Sequence, residues 1–283
     1  MASFTNFATL SYNGGTTNSN IVTGEILEAL TAVKTAVSAN YSAGDRITYA
    51  LSLVNTGIAA ITDYTVTDNL GGYTVGANTV YPLAYNAGTV RYYINGVLQT
   101  APTVTAGPPL TVTGLTVPAG GNAVLIYETT ATPVAPLATG NSITNTATIT
   151  GAGLTNPITA QATVETANSA DLTISKALSP TTVTENGQIT YTFVISNTGN
   201  TEATATGNVV VTDTFAPILR NIAVTYNGTA WTEGTNYTYN AATGVFTTLA
   251  GQITVPAATF TQNTDGTFTV TPGTATLVIT GTV

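Results

Sequence analysis

Gly187-Gln-Ile-Thr-Tyr-Thr-Phe-Val-Ile-Ser-Asn-Thr-Gly199 alternates apolar residues with Thr or Ser and then breaks at Asn-Thr-Gly. A period of two over this length describes a strand with one buried face, and Asn and Gly close it with a turn. Ile47-Thr-Tyr49 and Asn55-Thr-Gly57 carry the same punctuation earlier in the chain. Short alternating runs of this kind, divided by Gly, Pro and Asn, fill nearly all of the 283 residues. That rhythm predicts an all-β chain of sandwich type. Asn95-Gly96, Asn227-Gly228 and Asp265-Gly266 are hairpin signals, the first two at comparable places. Only Gly24 to Lys34 has a helical flavour, enough for one turn at most.

The chain holds five cations, and two of them are lysines, Lys34 and Lys176. Both occupy the same place in an internal repeat, within Leu30-Thr-Ala-Val-Lys34 and Leu172-Thr-Ile-Ser-Lys176. Each is followed by a turn, then Ile-Thr-Tyr, then Asn-Thr-Gly, and then Val-Thr-Asp at 66–68 and 211–213. The lysines lie 142 residues apart (176 − 34), so the length is that of two repeats. A solvated protein of this size scatters many lysines over its surface. One per repeat, in register, points to a chemical task inside the fold.

The first repeat holds a late piece that the second lacks. After Ala123-Val-Leu-Ile-Tyr127 come Ser142-Ile-Thr-Asn-Thr-Ala-Thr-Ile-Thr150 and a further strand near Ile158–Val164. The second repeat reaches Ala275-Thr-Leu-Val-Ile279 and then Val283. The missing pattern stands at the other end, as Ser3-Phe-Thr-Asn-Phe-Ala-Thr-Leu-Ser11. In a second copy set head to tail, Asn6 would follow Asn145 by 144 residues (283 + 6 − 145), close to the repeat period. The expected organisation is a donor segment at 1–29, a first sandwich at 30–167 and a second at 168–283. The second is incomplete, and an open sheet edge invites a strand from a neighbour.

Alternation also sets which way the polar residues of these strands face. Lys176 shares a face with Leu172, Ile174 and Leu178, Asp213 with Val209 and Val211, and Asp68 with Tyr64 and Val66. Asn145 shares one with Ile143, Ala147 and Ile149, and Asn6 one with Phe4, Ala8 and Leu10. All are expected to point into a core. Burial favours a neutral, nucleophilic lysine amine, and a buried carboxyl can polarise an amide carbonyl. The expected product is a Lys–Asn isopeptide bond formed once, without a cofactor and with loss of ammonia. Lys34 would join Asn145 within the chain, and Lys176 would join Asn6 of the next, with Asp68 and Asp213 as the catalytic acids. A plain buried ion pair is the blander alternative, and Glu128 is a rival acid in the first repeat.

A net charge of −8 with five cations argues against nucleic acid and anionic membranes as partners. The absence of Cys and His removes thiol chemistry, disulfides and the commonest zinc sites. Asp265 lacks the companions of a calcium loop, so no metal is expected. Trp231 and the 14 tyrosines could form a glycan-binding strip, though such residues more often pack a β core. No apolar run is long enough for a membrane helix, and Met-Ala-Ser-Phe-Thr-Asn lacks the regions of a signal peptide. A route without classical secretion, or a leader replaced by Met, is therefore expected.

Ala170-Asp-Leu-Thr-Ile-Ser-Lys176, with 187–199, Val209-Val-Val-Thr-Asp213 and Asn145-Thr-Ala-Thr-Ile-Thr-Gly151, resembles the bacterial surface repeat known as domain of unknown function eleven. The first repeat matches more loosely, with Asp63-Tyr-Thr-Val-Thr-Asp68 in place of the valine run. The resemblance implies immunoglobulin-like sandwiches of cell-surface stalks and adhesins, and similar repeats occur in ribbon-like spore appendages. Together with the donor segment and the open edge read above, it points to a structural subunit of a spore-surface or extracellular fibre that polymerises head to tail with itself and is not an enzyme. An adhesin or stalk fragment that binds a host glycan or protein is the alternative.

Overall fold

The computed structural model of the chain describes residues 2–26, 29–151 and 154–283. It is all-β, and among the described residues the only helical element is one 3-10 turn at Ala205–Gly207. The stretch with helical flavour is strand up to Ile26 and again from Leu30, and residues 27–28 lie outside the described ones. The chain divides into two compact units. One runs to Ala135 and includes Ser142–Glu165, and the other comprises Pro136–Asn141 and Thr166–Val283.

In the first unit, one sheet orders Val97–Leu98, Arg91–Ile94, Asn122–Ala131, Arg46–Asn55 and Leu30–Ala36, with Leu83–Tyr85 also paired to Asn122–Ala131. The opposing sheet orders Thr103–Thr105, Leu110–Val117, Ile61–Asp68, Ser142–Thr150, Ile158–Thr166 and Asn40–Tyr41. Along Arg46–Asn55 the residues Ile47, Tyr49, Leu51 and Leu53 are buried, and their neighbours turn outward. Thr and apolar residues alternate here because one face meets the other sheet. The closing hairpin, Ser142–Thr150 with Ile158–Thr166, lies beside the aspartate strand Ile61–Asp68, with Ala147 opposite Asp68.

The second unit has a sheet of Leu172–Ser179, Gln188–Asn197, Gly273–Thr282, Arg220–Tyr226 and Thr229–Trp231. A three-stranded sheet completes it, ordered Thr212–Thr214, Val245–Thr248 and Tyr237–Asn240. Phe215, Phe246, Ile253, Val255 and Leu277 are at the centre of its core. Among the described residues its aspartate strand, Thr212–Thr214, pairs on one edge only, with Val245–Thr248. Among the described residues no hairpin occupies the place that Ser142–Thr166 fills in the first unit.

The repeat signature has a structural meaning in both units. Asn55 is buried, and its Nδ2 donates to the carbonyls of Ala59 (2.8 Å) and Pro118 (3.0 Å) while its Oδ1 accepts from Gly57 N. Asn197 does the same with Thr201 (2.8 Å), Pro256 (3.0 Å) and Gly199 N. One amide thus satisfies loop carbonyls that would otherwise be buried without partners. Asn95-Gly96 and Asn227-Gly228 form tight turns with both residues at positive φ, as two-residue hairpins require.

Candidate functional site

Residues 2–26 form a long hairpin in two parts. Ala2–Asn6 pairs with Val22–Ile26, and Thr9–Tyr12 pairs with Gly15–Asn18. Its pairs Ser3↔Glu25, Phe4↔Gly24 and Asn6↔Val22 repeat those of the closing hairpin, Ser142↔Glu165, Ile143↔Val164 and Asn145↔Ala162. The register slips by one residue beyond Phe7, where Thr9 meets Asn18. The closing hairpin buries Ile143, Asn145, Ala147 and Ile149, whereas Phe4, Phe7, Leu10, Tyr12, Ile21 and Val22 of the terminal hairpin are exposed. An unpartnered row of large apolar side chains is uncommon on an ordinary surface.

In the first unit, Lys34 comes from an edge strand of one sheet and Asp68 from the other sheet. Lys34 Nζ donates to Asp68 Oδ2 at 2.5 Å, with both side chains essentially excluded from water at 0% and 1% exposure. The Tyr127 hydroxyl donates to the same Oδ2, and Leu70 N donates to Oδ1 at 2.9 Å. Lys34 Nζ also lies over two rings, 4.8 Å from the centre of Tyr49 and 5.8 Å from that of Tyr127. Burial pulls the lysine down to about 8, against the opposing charge of Asp68. Roughly a tenth of it is therefore a neutral amine at pH 7, far more than of an ordinary lysine. Burial, with the Asp68 charge added, pushes the Tyr49 and Tyr127 hydroxyls far above the usual phenol range, so both remain protonated donors.

Asn145 shares the inner face of the closing strand with Ala147, which makes it the diagonal neighbour of Asp68. It is fully buried, and neither its Oδ1 nor its Nδ2 has a hydrogen-bond partner. The Tyr49 and Tyr127 hydroxyls are close enough for its amide to act on them electrostatically. The sequence reading aimed Asp68 at this amide, but the hydrogen bonds of the carboxylate go to Lys34, Tyr127 and Leu70. Glu128, the rival acid, lies across the strand face from this group and sits 3.7 Å from Arg46 in an exposed pair.

The second unit builds half of the same arrangement. Lys176 donates to Asp213 Oδ2, and Asp213 Oδ1 accepts from Thr214 N at 2.9 Å. The lysine lies 4.6 Å from the ring centre of Tyr191, 5.3 Å from Phe193 and 5.5 Å from Phe215. Here the two side chains are 40% and 18% exposed. Ile174 and Leu178 on the lysine strand are exposed as well. Ile279 holds the place of Tyr127, since Ile279 pairs with Tyr191 as Tyr127 pairs with Tyr49. No asparagine of this unit occupies the position of Asn145 among the described residues. Asn6 carries that pattern and lies exposed on the terminal hairpin.

The tyrosine cage was not read from the sequence, although Tyr49 and Tyr191 were visible as repeat marks. Trp231 stacks on Tyr226 at 4.8 Å and packs against the core. Asp265 accepts from Thr267 N and Oγ1 and caps a local turn.

No family model and no curated protein matches this chain. Solved structures of Gram-positive pilins and adhesins are similar in fold. The major pilin subunit BcpA of Bacillus cereus is 15% identical, with 96% of this chain and 73% of that chain covered and a TM-score of 0.37. A C-terminal fragment of the major pilin of Streptococcus agalactiae is 11% identical over 61% of this chain and 86% of that one, with a TM-score of 0.36. The N-terminal domain of a Streptococcus gordonii adhesin is 15% identical over 48% of this chain, with a TM-score of 0.36, and 32% of that chain's length is covered. These are likenesses of fold.

Proposed function

We propose that this chain is a structural fibre subunit that polymerises head to tail by donating its terminal hairpin to the second unit of a neighbouring copy. The observation that carries this reading is the register that Ser3–Asn6 with residues 22–25 shares with Ser142–Asn145 and residues 162–165, one hairpin exposed and the other filling a sheet. In the neighbour, the stretch around Ala8–Ser11 would lie along the free edge of Thr212–Thr214, with Ala8 opposite Asp213 as Ala147 stands opposite Asp68. Phe4, Ala8 and Leu10 would then cover the core near Lys176, and Asn6 would face Lys176 and Asp213.

Two covalent joints would follow. In each, the lysine Nζ bonds to the asparagine Cγ, the Cγ–Nδ2 bond breaks, and ammonia leaves. Lys34 and Asn145 would react within a subunit, and Lys176 and Asn6 between subunits. Fixed geometry supplies much of the acceleration, since reacting groups held side by side lose no further freedom. Location on a spore or cell surface is part of this proposal and rests on the repeat motifs.

The test is a denaturing gel of the purified protein after boiling in detergent. Wild type should give a covalent ladder, and Lys176→Ala and Asn6→Ala should each abolish it. Digestion should release a branched peptide joining the segments around residues 6 and 176. A ladder that survives both substitutions would place the cross-link elsewhere and defeat this reading.

A further inference from the structure

Asn145 poses a question that Asp68 does not answer. A fully buried amide with both polar atoms unpaired is rare in native proteins and calls for a functional reason. The acid beside it already holds Lys34, Tyr127 and a backbone amide. The Tyr127 hydroxyl is committed to that acid. Of the two cage hydroxyls, that of Tyr49 has no acceptor, and it is likewise buried and unpaired. The Tyr49 ring carries Lys34 Nζ on its face at 4.8 Å, and Asn145 acts on its hydroxyl. An orphan hydroxyl donor beside the amine and an orphan amide oxygen therefore share one buried cluster.

We infer that Tyr49 is a catalytic residue of the condensation and donates a hydrogen bond to Asn145 Oδ1 as that oxygen gains negative charge. The inference rests on the Lys34–Asn145 reading above and names the group that would drive it. In sequence, the Lys34 ammonium loses a proton to solvent, and the free amine adds to Cγ. The carbonyl electron pair moves to Oδ1, where the Tyr49 O–H receives it. When the pair returns, the Cγ–Nδ2 bond breaks. Of the two protons lost by the lysine, one has gone to solvent and the other passes through the Asp68 carboxylate to the departing nitrogen, which leaves as ammonia. Loss of that nitrogen also removes one of the two orphan atoms of the amide.

The repeat extends the inference to the second joint. Tyr191 holds the place of Tyr49, and Lys176 Nζ lies 4.6 Å from its ring centre. The Ile-Thr-Tyr motif at 47–49 and 189–191 thus gains a reason beyond packing. The Tyr127 position, filled by Ile279 in the second unit, is not shared, so the acid there lacks its second side-chain donor.

Intact mass followed over time after refolding tests this. Wild type should lose about 17 Da as ammonia leaves. Tyr49→Phe keeps the ring under the lysine and should react about 10²-fold more slowly, the usual effect of removing one oxyanion donor. Its pH midpoint should be unchanged, because lysine titration is untouched, whereas Tyr127→Phe should move that midpoint. Tyr49→Phe reacting at the wild-type rate overturns the inference while leaving the bond itself intact. A folded wild type at full mass removes the Lys34–Asn145 bond, and the inference with it. If Tyr49→Phe does not fold, Tyr191→Phe carries the test. It should slow the covalent ladder by a similar factor while detergent-soluble fibres still form, and a ladder at the wild-type rate overturns the inference there too.

Discussion

Lys34 and Lys176 make the same contact with an aspartate and differ in almost everything around it. The first pair is sealed, and the second is 40% and 18% exposed. The strands that carry the lysines and the acids are equivalent, and so are the first aromatic rings beneath them. What differs is a hairpin beside the aspartate strand, present at 142–166 and missing from the second unit. The comparison teaches that side-chain placement alone does not make a buried lysine. Removing water from it takes two further strands, and the chain carries a spare pair at 2–26.

Substitution of the two lysines should separate the units most sharply. Lys34→Ala should remove a cross-link spanning 111 residues (145 − 34) and lower the stability of the first unit by about 4–5 kcal/mol on the chain-entropy account. Lys176→Ala in the unassembled subunit breaks a half-exposed pair and should cost at most about 1 kcal/mol. Calorimetry that resolves the two unfolding transitions reads both. Equal losses in the two units would mean that the first holds no covalent bond.

Asn55→Ala and Asn197→Ala should show the opposite pattern. Each removes an amide that satisfies several loop carbonyls, and the two bonding sets are nearly the same. Each substitution should cost about 1–3 kcal/mol in its own unit. A large inequality would show that the hairpin's absence loosens the second unit well beyond the lysine site.

The smallest effect concerns pH. Burial pulls Lys34 down to about 8, so its neutral fraction rises with pH below that value and levels above it. The rate of mass loss in freshly refolded protein should rise by about tenfold per pH unit up to pH 7 and flatten above about 8. A rate that is flat from pH 6 to 9 would mean that the amine is not the titrating nucleophile.

Much of this arrangement was legible in the chain. The repeat phase placed Lys34 with Asp68 and Lys176 with Asp213, and both pairs meet. The recurrence of Ser-x-Thr-Asn-x-Ala-Thr marked the terminal segment as a copy of the closing strand. Its second strand, Val22–Ile26, was not matched, because a return strand is defined by what it pairs with, and pairing is not written in one strand's composition. Tyr49 and Tyr127 were missed for a related reason. In a β chain, tyrosines at alternate positions describe any core, and only the cross-sheet geometry shows one hydroxyl taken by Asp68 and another left free. Asn55 and Asn197 were visible as punctuation, but their work on distant loop carbonyls depends on contacts some 60 residues away in sequence.

The exposed hairpin and the open sheet edge are unlike surfaces, one rich in aromatic side chains and the other showing a cation beside a bare strand. A filament joined through them has a direction. At one tip the last subunit would present Phe4, Phe7 and Leu10 to solvent, and at the other Lys176 and Ile174. The two tips would then grow at different rates and meet different surroundings. A molecule able to engage only one of them would cap that tip and leave the other free to extend.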